Sequence, residues 1–219
     1  MGLQIALQRQ PRLVGIAMFV VSVIAATALV GISEVYRLQK AQVEAANVAN
    51  DYARVLQQNI ERSLSATYAL AALVQQGNGR ITNFDRIARQ MLPFYPGATL
   101  MLLPDGVVRN SYPLRGNESA IGHDVFKDPA RSKEAFLAKE TGKLTLAGPF
   151  DLKQGGVGAV ARFPVFLDGA QGQRSFWGFT TVLLRFPQTL DPARLASLEA
   201  LGFNYELWRI HPDSGRKQI

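Results

Sequence analysis

An α+β fold carried on an N-terminal membrane helix is the class this sequence predicts, and three observations point to it. Residues 13–32 are an uncharged apolar run, residues 33–76 contain neither proline nor glycine, and from residue 99 onward short apolar segments alternate with turns rich in Pro, Gly, Asn and Asp. Of 219 residues 47% are hydrophobic, enough to bury a core after the membrane segment is set aside. The net charge of +7 comes from Lys and Arg scattered along the chain, without a basic stripe or a nucleic-acid motif. No nucleic-acid partner is therefore expected, and the basic balance reads as surface character helped by anionic lipid. The chain has no cysteine, which removes disulfides and thiolate metal sites and leaves the compartment open.

The apolar run LVGIAMFVVSVIAATALVGI is long enough, at about 1.5 Å per residue, to cross a hydrocarbon core of roughly 30 Å. Its polar side chains, Ser22 and Thr27, can bond back to the helix itself. Arg9 and Arg12 precede it with no acidic residue among residues 1–12, whereas Glu34 mixes with Arg37 and Lys40 on the far side. The positive-inside rule then places a cytoplasmic tail at 1–12, a transmembrane helix at 13–32, and everything after it outside the inner (plasma) membrane. Ala26-Thr27-Ala28 resembles a signal-peptidase site, but the run exceeds the roughly 7–15 apolar residues of a signal peptide, so an uncleaved anchor is the reading.

After the anchor, apolar or small residues recur at Ala45, Val48, Tyr52, Val55, Asn59/Ile60, Ser63/Leu64 and Leu70 in steps of three and four, predicting a long amphipathic stalk helix. Gly77-Asn78-Gly79 should end it. The stripe either packs on its own domain or forms the seam of a parallel homodimer. Thr82 or Asn83 can cap a second helix that runs to Leu92 before Pro93 and Pro96. Strands are expected at 99–103 and 107–112 around the turn Pro104-Asp105-Gly106, then a polar loop at 113–128 and a helix at 129–139 opened by Pro129. Three further strands at 143–150, 157–167 and 176–186 complete an antiparallel sheet of about five. A helix at 187–201, with Asp191 as cap and Pro192 at its first position, precedes a strand at 203–210 for which the remaining tail offers no partner.

Several motifs lie in a recognisable order: Ile121-Gly122-His123-Asp124, Asp128-Pro129-Ala130-Arg131, Glu140-Thr141-Gly142, Leu146-Ala147-Gly148-Pro149, Gln154-Gly155-Gly156 and Arg162-Phe163-Pro164-Val165-Phe166, preceded by the stretch 106–118. Each is weak alone, but the ordered series resembles the CHASE family, the extracytoplasmic sensory domain of bacterial histidine kinases, diguanylate cyclases and plant cytokinin receptors. The resemblance covers about residues 40–219. It implies a stalk (33–79), a membrane-distal PAS-like ligand-binding subdomain (80–186), and a helix with the start of a truncated proximal PAS-like subdomain (187–219). It further implies a small-molecule ligand, nucleobase-like in the plant members, with Asp124 at the position that contacts the base and Thr141 at a position needed for binding. Leu146 and Gly178 align with pocket-lining positions. The loop around 112–118 departs from the plant pattern, so cytokinin itself is not implied.

From residue chemistry alone, Asp124 is either a turn-former or a carboxylate that accepts paired donors in a partly dry pocket. Thr141 is either a helix-end residue or a ligand contact. Tyr112 and Arg115, with Asn117 and Glu118, either line a pocket or form a solvated turn. His123 and His211 are too few for a zinc site without carboxylates. Asn117-Glu118-Ser119 fits a glycosylation sequon. The segment from Gly156 to Ala161 mimics a dinucleotide fingerprint but leads into a strand containing Pro164 instead of a helix, so no cofactor is called for. Without a GxSxG, an HExxH, a phosphate loop or a cysteine nucleophile, no catalytic residue is assigned. The expected function is ligand sensing for a kinase or cyclase output outside this chain, against the alternative of a tethered dimerisation or protein-interaction module.

Overall fold

The computed structural model describes residues 11–129, 131–169, 172–193, 195–206, 208–210, 215 and 217–218. Most of the expected cytoplasmic tail, and His211, lie outside the described residues. Helix α1 spans Pro11–Gln76. Its apolar segment is a candidate membrane span with a mean hydropathy of 2.4, and the side chains of Met18, Phe19 and Leu29 are exposed. Ser22 and Thr27 donate to the carbonyls of Met18 and Val23, one turn back, which is how a hydroxyl is tolerated in lipid.

The unit beginning at Tyr52 is the folded domain. Along α1 the buried positions Ser63, Ala66, Thr67, Leu70, Ala71 and Val74 repeat at helical spacing. The helix stops at Gly77-Asn78-Gly79, where the Gly79 amide donates to Val74 O at 2.8 Å and Asn78 and Gly79 take positive φ. Helix α2, Phe84–Met91, follows. Asn83 occupies its N-cap position in a left-handed conformation but makes no side-chain capping bond.

Five strands make one antiparallel sheet in the order β2-β1-β5-β4-β3: β1 Ala98–Pro104, β2 Asn110–Tyr112, β3 Thr145–Asp151, β4 Val157–Asp168 and β5 Arg174–Phe186. Both faces are covered, which is why β1 is buried from Ala98 to Leu103 and apolar there except at Thr99. One face, from Leu100, Leu102, Ala161, Val182 and Leu184, packs on α1 and α2. The other, from Met101, Leu103, Phe179 and Leu183, packs on helix α3, Ser132–Thr141, and on the loop before it.

Four boundaries differ from the sequence expectation. The β2 ladder is short because Val107 and Val108 bond instead to the loop that follows: Val108 donates to His123 O, Gly122 to Val108 O, and Val107 bridges Asp124, while Arg109 N still donates to Leu102 O of β1. Helix α3 begins at Ser132, not at Pro129, because Asp128 O accepts both the Arg131 and Ser132 amides and closes a turn first. The expected helix at 187–201 is a 3₁₀ segment, Gln188–Ala193, and a short α4, Ala196–Ala200. Pro187 and Pro192 lack amide donors, and Leu190 N bonds Pro187 O three residues back, the 3₁₀ pattern. The last expected strand is reduced to β6, Arg209–Ile210, and the tail does supply its partner, β7, Lys217–Gln218.

Candidate ligand site

The register of the sheet sets one cross-strand row on the α3 face. Met101 of β1 lies opposite Thr181 of β5, Thr181 opposite Arg162 of β4, and Arg162 opposite Thr145 of β3. Above this row is a cavity of about 50 Å³. Its floor includes Met101, Leu103, Thr181, Leu183 and Arg162, and its rim is Val108 and His123, Arg131, and the β3–β4 hairpin at Leu152 to Gln154. The hairpin is pinned by Leu152 N to Gly156 O and Gly155 N to Leu152 O, both 2.9 Å.

Arg162 dominates this site. Its side chain is 2% exposed, yet Nε and Nη1 have no hydrogen-bond partner among the described residues. Thr181 Oγ1, in a residue 1% exposed, and His123 Nε2 are unpartnered in the same way, and all three residues line the one cavity. A buried donor left unmade costs about 1–3 kcal/mol, more when charged, so three such groups on residues that line one cavity are an unusual concentration. Burial pulls the Arg162 guanidinium down to about 10; Glu134 opposes that, Arg131 adds to it, and Asp128 opposes it. The group stays cationic at neutral pH.

The surrounding charges are arranged so that Asp128 is shared. It pairs with Arg131 Nη1 and lies 3.4 Å from His123 Nε2 and 4.0 Å from Lys153 Nζ. The His123 approach satisfies ion-pair distance but not hydrogen-bond alignment. Burial, with the charges of Lys153, Arg131 and Arg162, lowers the His123 pKa below its ordinary 6.5 against the pull of Asp128, so the ring is neutral at pH 7. Arg131 also donates to Asp151 O at 2.7 Å and stacks over Phe150 at 4.6 Å, fixing the cavity rim.

The six residues singled out from the sequence are dispersed around this cavity without lining it. Asp124 is nearest, in an open polar depression that shares His123 and Lys153 with the cavity. Its Oδ1 accepts the Phe126 amide at 3.0 Å and its Oδ2 sits 3.2 Å from Lys127 Nζ. Burial raises its carboxyl, but the bonds from Lys127 and the Phe126 and Lys127 amides outweigh that and hold it below the ordinary carboxylate range. Thr141 is exposed at the end of α3, its hydroxyl donating to Leu137 O at 2.7 Å. Leu146, 46% exposed, is opposite Ala161, on the α1 side of the sheet. Tyr112 is on that side too, accepting from Arg89 Nε at 3.0 Å. Arg115 lines a separate groove with Asn117, Gln154 and Arg185. Gly178 is a backbone crossing: a Cβ there would lie 2.1 Å from Leu103 O. Asn117 is buried, donating to Pro113 O and accepting from Gln154 and Arg185, which removes it as a glycosylation acceptor.

Arg162 and His123 stand in the ordered motif series, but neither they nor Thr181 is singled out by it as a binding residue. The signal for Arg162 was present, since a lone arginine inside the apolar strand VGAVARFPVF points toward a core, but its partners come from segments distant in sequence.

A family model for the CHASE domain matches residues 50–214. No curated protein matches the chain. Among solved structures, an extracellular ligand binding receptor from Desulfohalobium retbaense DSM5692 is similar over 65% of this chain, with 18% sequence identity and a TM-score of 0.52, a likeness of fold. The match spans 26% of that receptor's own chain.

Proposed function

This chain belongs to the CHASE domain family, a family of extracytoplasmic sensory domains, and from that premise we propose that it is the ligand-sensing input region of a bacterial transmembrane receptor. A small molecule enters the cavity above Arg162, and its differential affinity for two states of the sheet moves α1, which passes the change through the membrane to a kinase or cyclase output.

The observation that carries this reading is a pair of adjacent residues on β5. Thr181 lines the cavity, and Thr180, pointing to the opposite face, donates to Thr67 O of α1 at 2.8 Å within a buried contact. A ligand that displaces β5 by a fraction of an ångström therefore acts directly on the helix leading to the anchor. The test is a thermal-shift screen of small metabolites on the full chain in detergent; a ligand raises the melting temperature as RT ln(1 + [L]/Kd). Absence of any stabilising metabolite would remove the ligand-sensing role. A phosphatase fused after Ile219 should be active outside the cytoplasm, and activity of a cytosolic reporter at the same junction would reverse the orientation.

A homodimer through α1 is the second element of the proposal. Val55 lies on the expected seam and is 41% exposed, off the stripe buried against the sheet. In a chain free of cysteine, Val55→Cys should give a disulfide-linked dimer under mild oxidation. If it stays monomeric, and Val55→Asp leaves signalling unchanged, the seam is elsewhere. The tethered interaction module is the competing reading, favoured if the Val55 seam is essential while ligands are without effect.

A further inference from the structure

We propose that the cavity is a carboxylate site, taking a short-chain monocarboxylate whose anionic head is read by Arg162, Thr181 and His123 and whose few carbons lie on Met101, Leu103 and Leu183. This inference rests on the ligand-sensing reading above and names the chemical class that the reading leaves open.

Three features of the site select that class. The first is sign. Arg162, Arg131 and Lys153 face the cavity region against the carboxylates of Asp128 and Glu134, with His123 neutral, and Asp128 is already engaged by Arg131. A further anion balances the unpaired guanidinium; a cation would add to the repulsion. The second is geometry. Nε and Nη1 are unpartnered donors on different edges of the guanidinium, and the Thr181 hydroxyl is on the adjacent strand in register, so the two oxygens of a carboxylate have separate donors to accept from. The third is size. A cavity of about 50 Å³ is well below the roughly 150 Å³ that holds a benzene-sized guest, so a purine does not fit this shape and an acid of two or three carbons is the better match. The floor beside Arg162 is apolar at Met101, Leu103 and Leu183, which suits a short alkyl or keto tail.

The experiment compares propionate and pyruvate with their uncharged analogues propionamide and propanol, at matched ionic strength, by thermal shift and calorimetry on the full chain in detergent. The wild type should be stabilised by the acids alone. Arg162→Met keeps the length of the side chain and removes the buried charge; it should fold, with a melting temperature no lower than the wild type without ligand, and should bind the acids about tenfold to a hundredfold more weakly. Thr181→Val, which removes one hydroxyl at nearly constant volume, should weaken binding by several-fold and serves if the Arg162 variant does not fold. Equal stabilisation by acid and amide, or undiminished acid binding in both variants, would overturn the proposal. A response only to neutral or cationic metabolites overturns the carboxylate class while the sensor reading stands. A response to nothing in the wider screen overturns both.

Discussion

Leu70→Ala tests the contact on which the proposed signalling route depends. Leu70 is fully buried on α1 and packs in the cluster that includes Leu100, Val182 and Leu184 from β1 and β5. The substitution removes three carbons, worth about 2.4 kcal/mol of transfer free energy at about 0.8 kcal/mol each. The cavity left behind adds to this, because α1 and a five-stranded sheet can close on it only partly, giving about 3–5 kcal/mol in all. Against a stability of about 5–15 kcal/mol that is a large fraction. For a domain of this size the melting midpoint should fall by about 6–20 °C. Two companions calibrate the result. Gln57→Ala, on the exposed side of α1, loses an i,i+4 bond to Glu61 and should cost only about 0.2–0.5 kcal/mol. Thr180→Val preserves shape but loses the bond to Thr67 O, costing about 1 kcal/mol. Thermal and urea unfolding of the three variants should rank Leu70, Thr180, Gln57. If Leu70→Ala melts like Gln57→Ala, α1 does not form part of the domain core, and the path from Thr181 through Thr180 to the helix fails with it.

Gly178→Ala should destabilise by more than about 1 kcal/mol whatever the ligand, since φ of 146° and a Cβ within 2.1 Å of Leu103 O force the β1 and β5 backbones apart; an unchanged melting curve would contradict that crossing. Arg185 donates to Gly155 O, Gly116 O and Asn117 Oδ1, so Arg185→Met should raise amide hydrogen exchange in both the 113–118 loop and the 152–156 hairpin, and exchange confined to one of them would show that it does not tie the two together. For His123 the folded pKa is lowered, so between that value and the unfolded 6.5 the unfolded chain binds more protons and stability rises with pH. The melting temperature of the wild type should therefore drop as pH falls through 6.5, and His123→Gln should flatten this part of the profile; an identical slope in the variant would assign the loss to other groups.

The sequence settled whatever depends on local chemistry. An uncharged run of membrane length, a helical stripe with no Pro or Gly, a Gly-Asn-Gly stop, and alternating apolar segments each report their own conformation, because helix periodicity, turn residues and strand alternation act over a few neighbours. One difference is itself local: Pro187 and Pro192 read as the start of a helix, while their missing amide donors favour a 3₁₀ path. The apolar pair Val107-Val108 reads as strand, whereas the partners of Val108 are His123 O and Gly122 N, some fifteen residues away.

The cavity belonged to tertiary structure alone. Arg162, Thr181 and His123 come from β4, β5 and a loop, and only the pairing register Arg162 to Thr181 to Met101 sets them on one face. A shift of that register by one residue would have turned Arg162 toward α1 and Leu146 toward the cavity, with the same amino acids in the same order. Residue identity fixes what each side chain can do; which of them meet is decided by strand pairing and by the burial that leaves a guanidinium without partners.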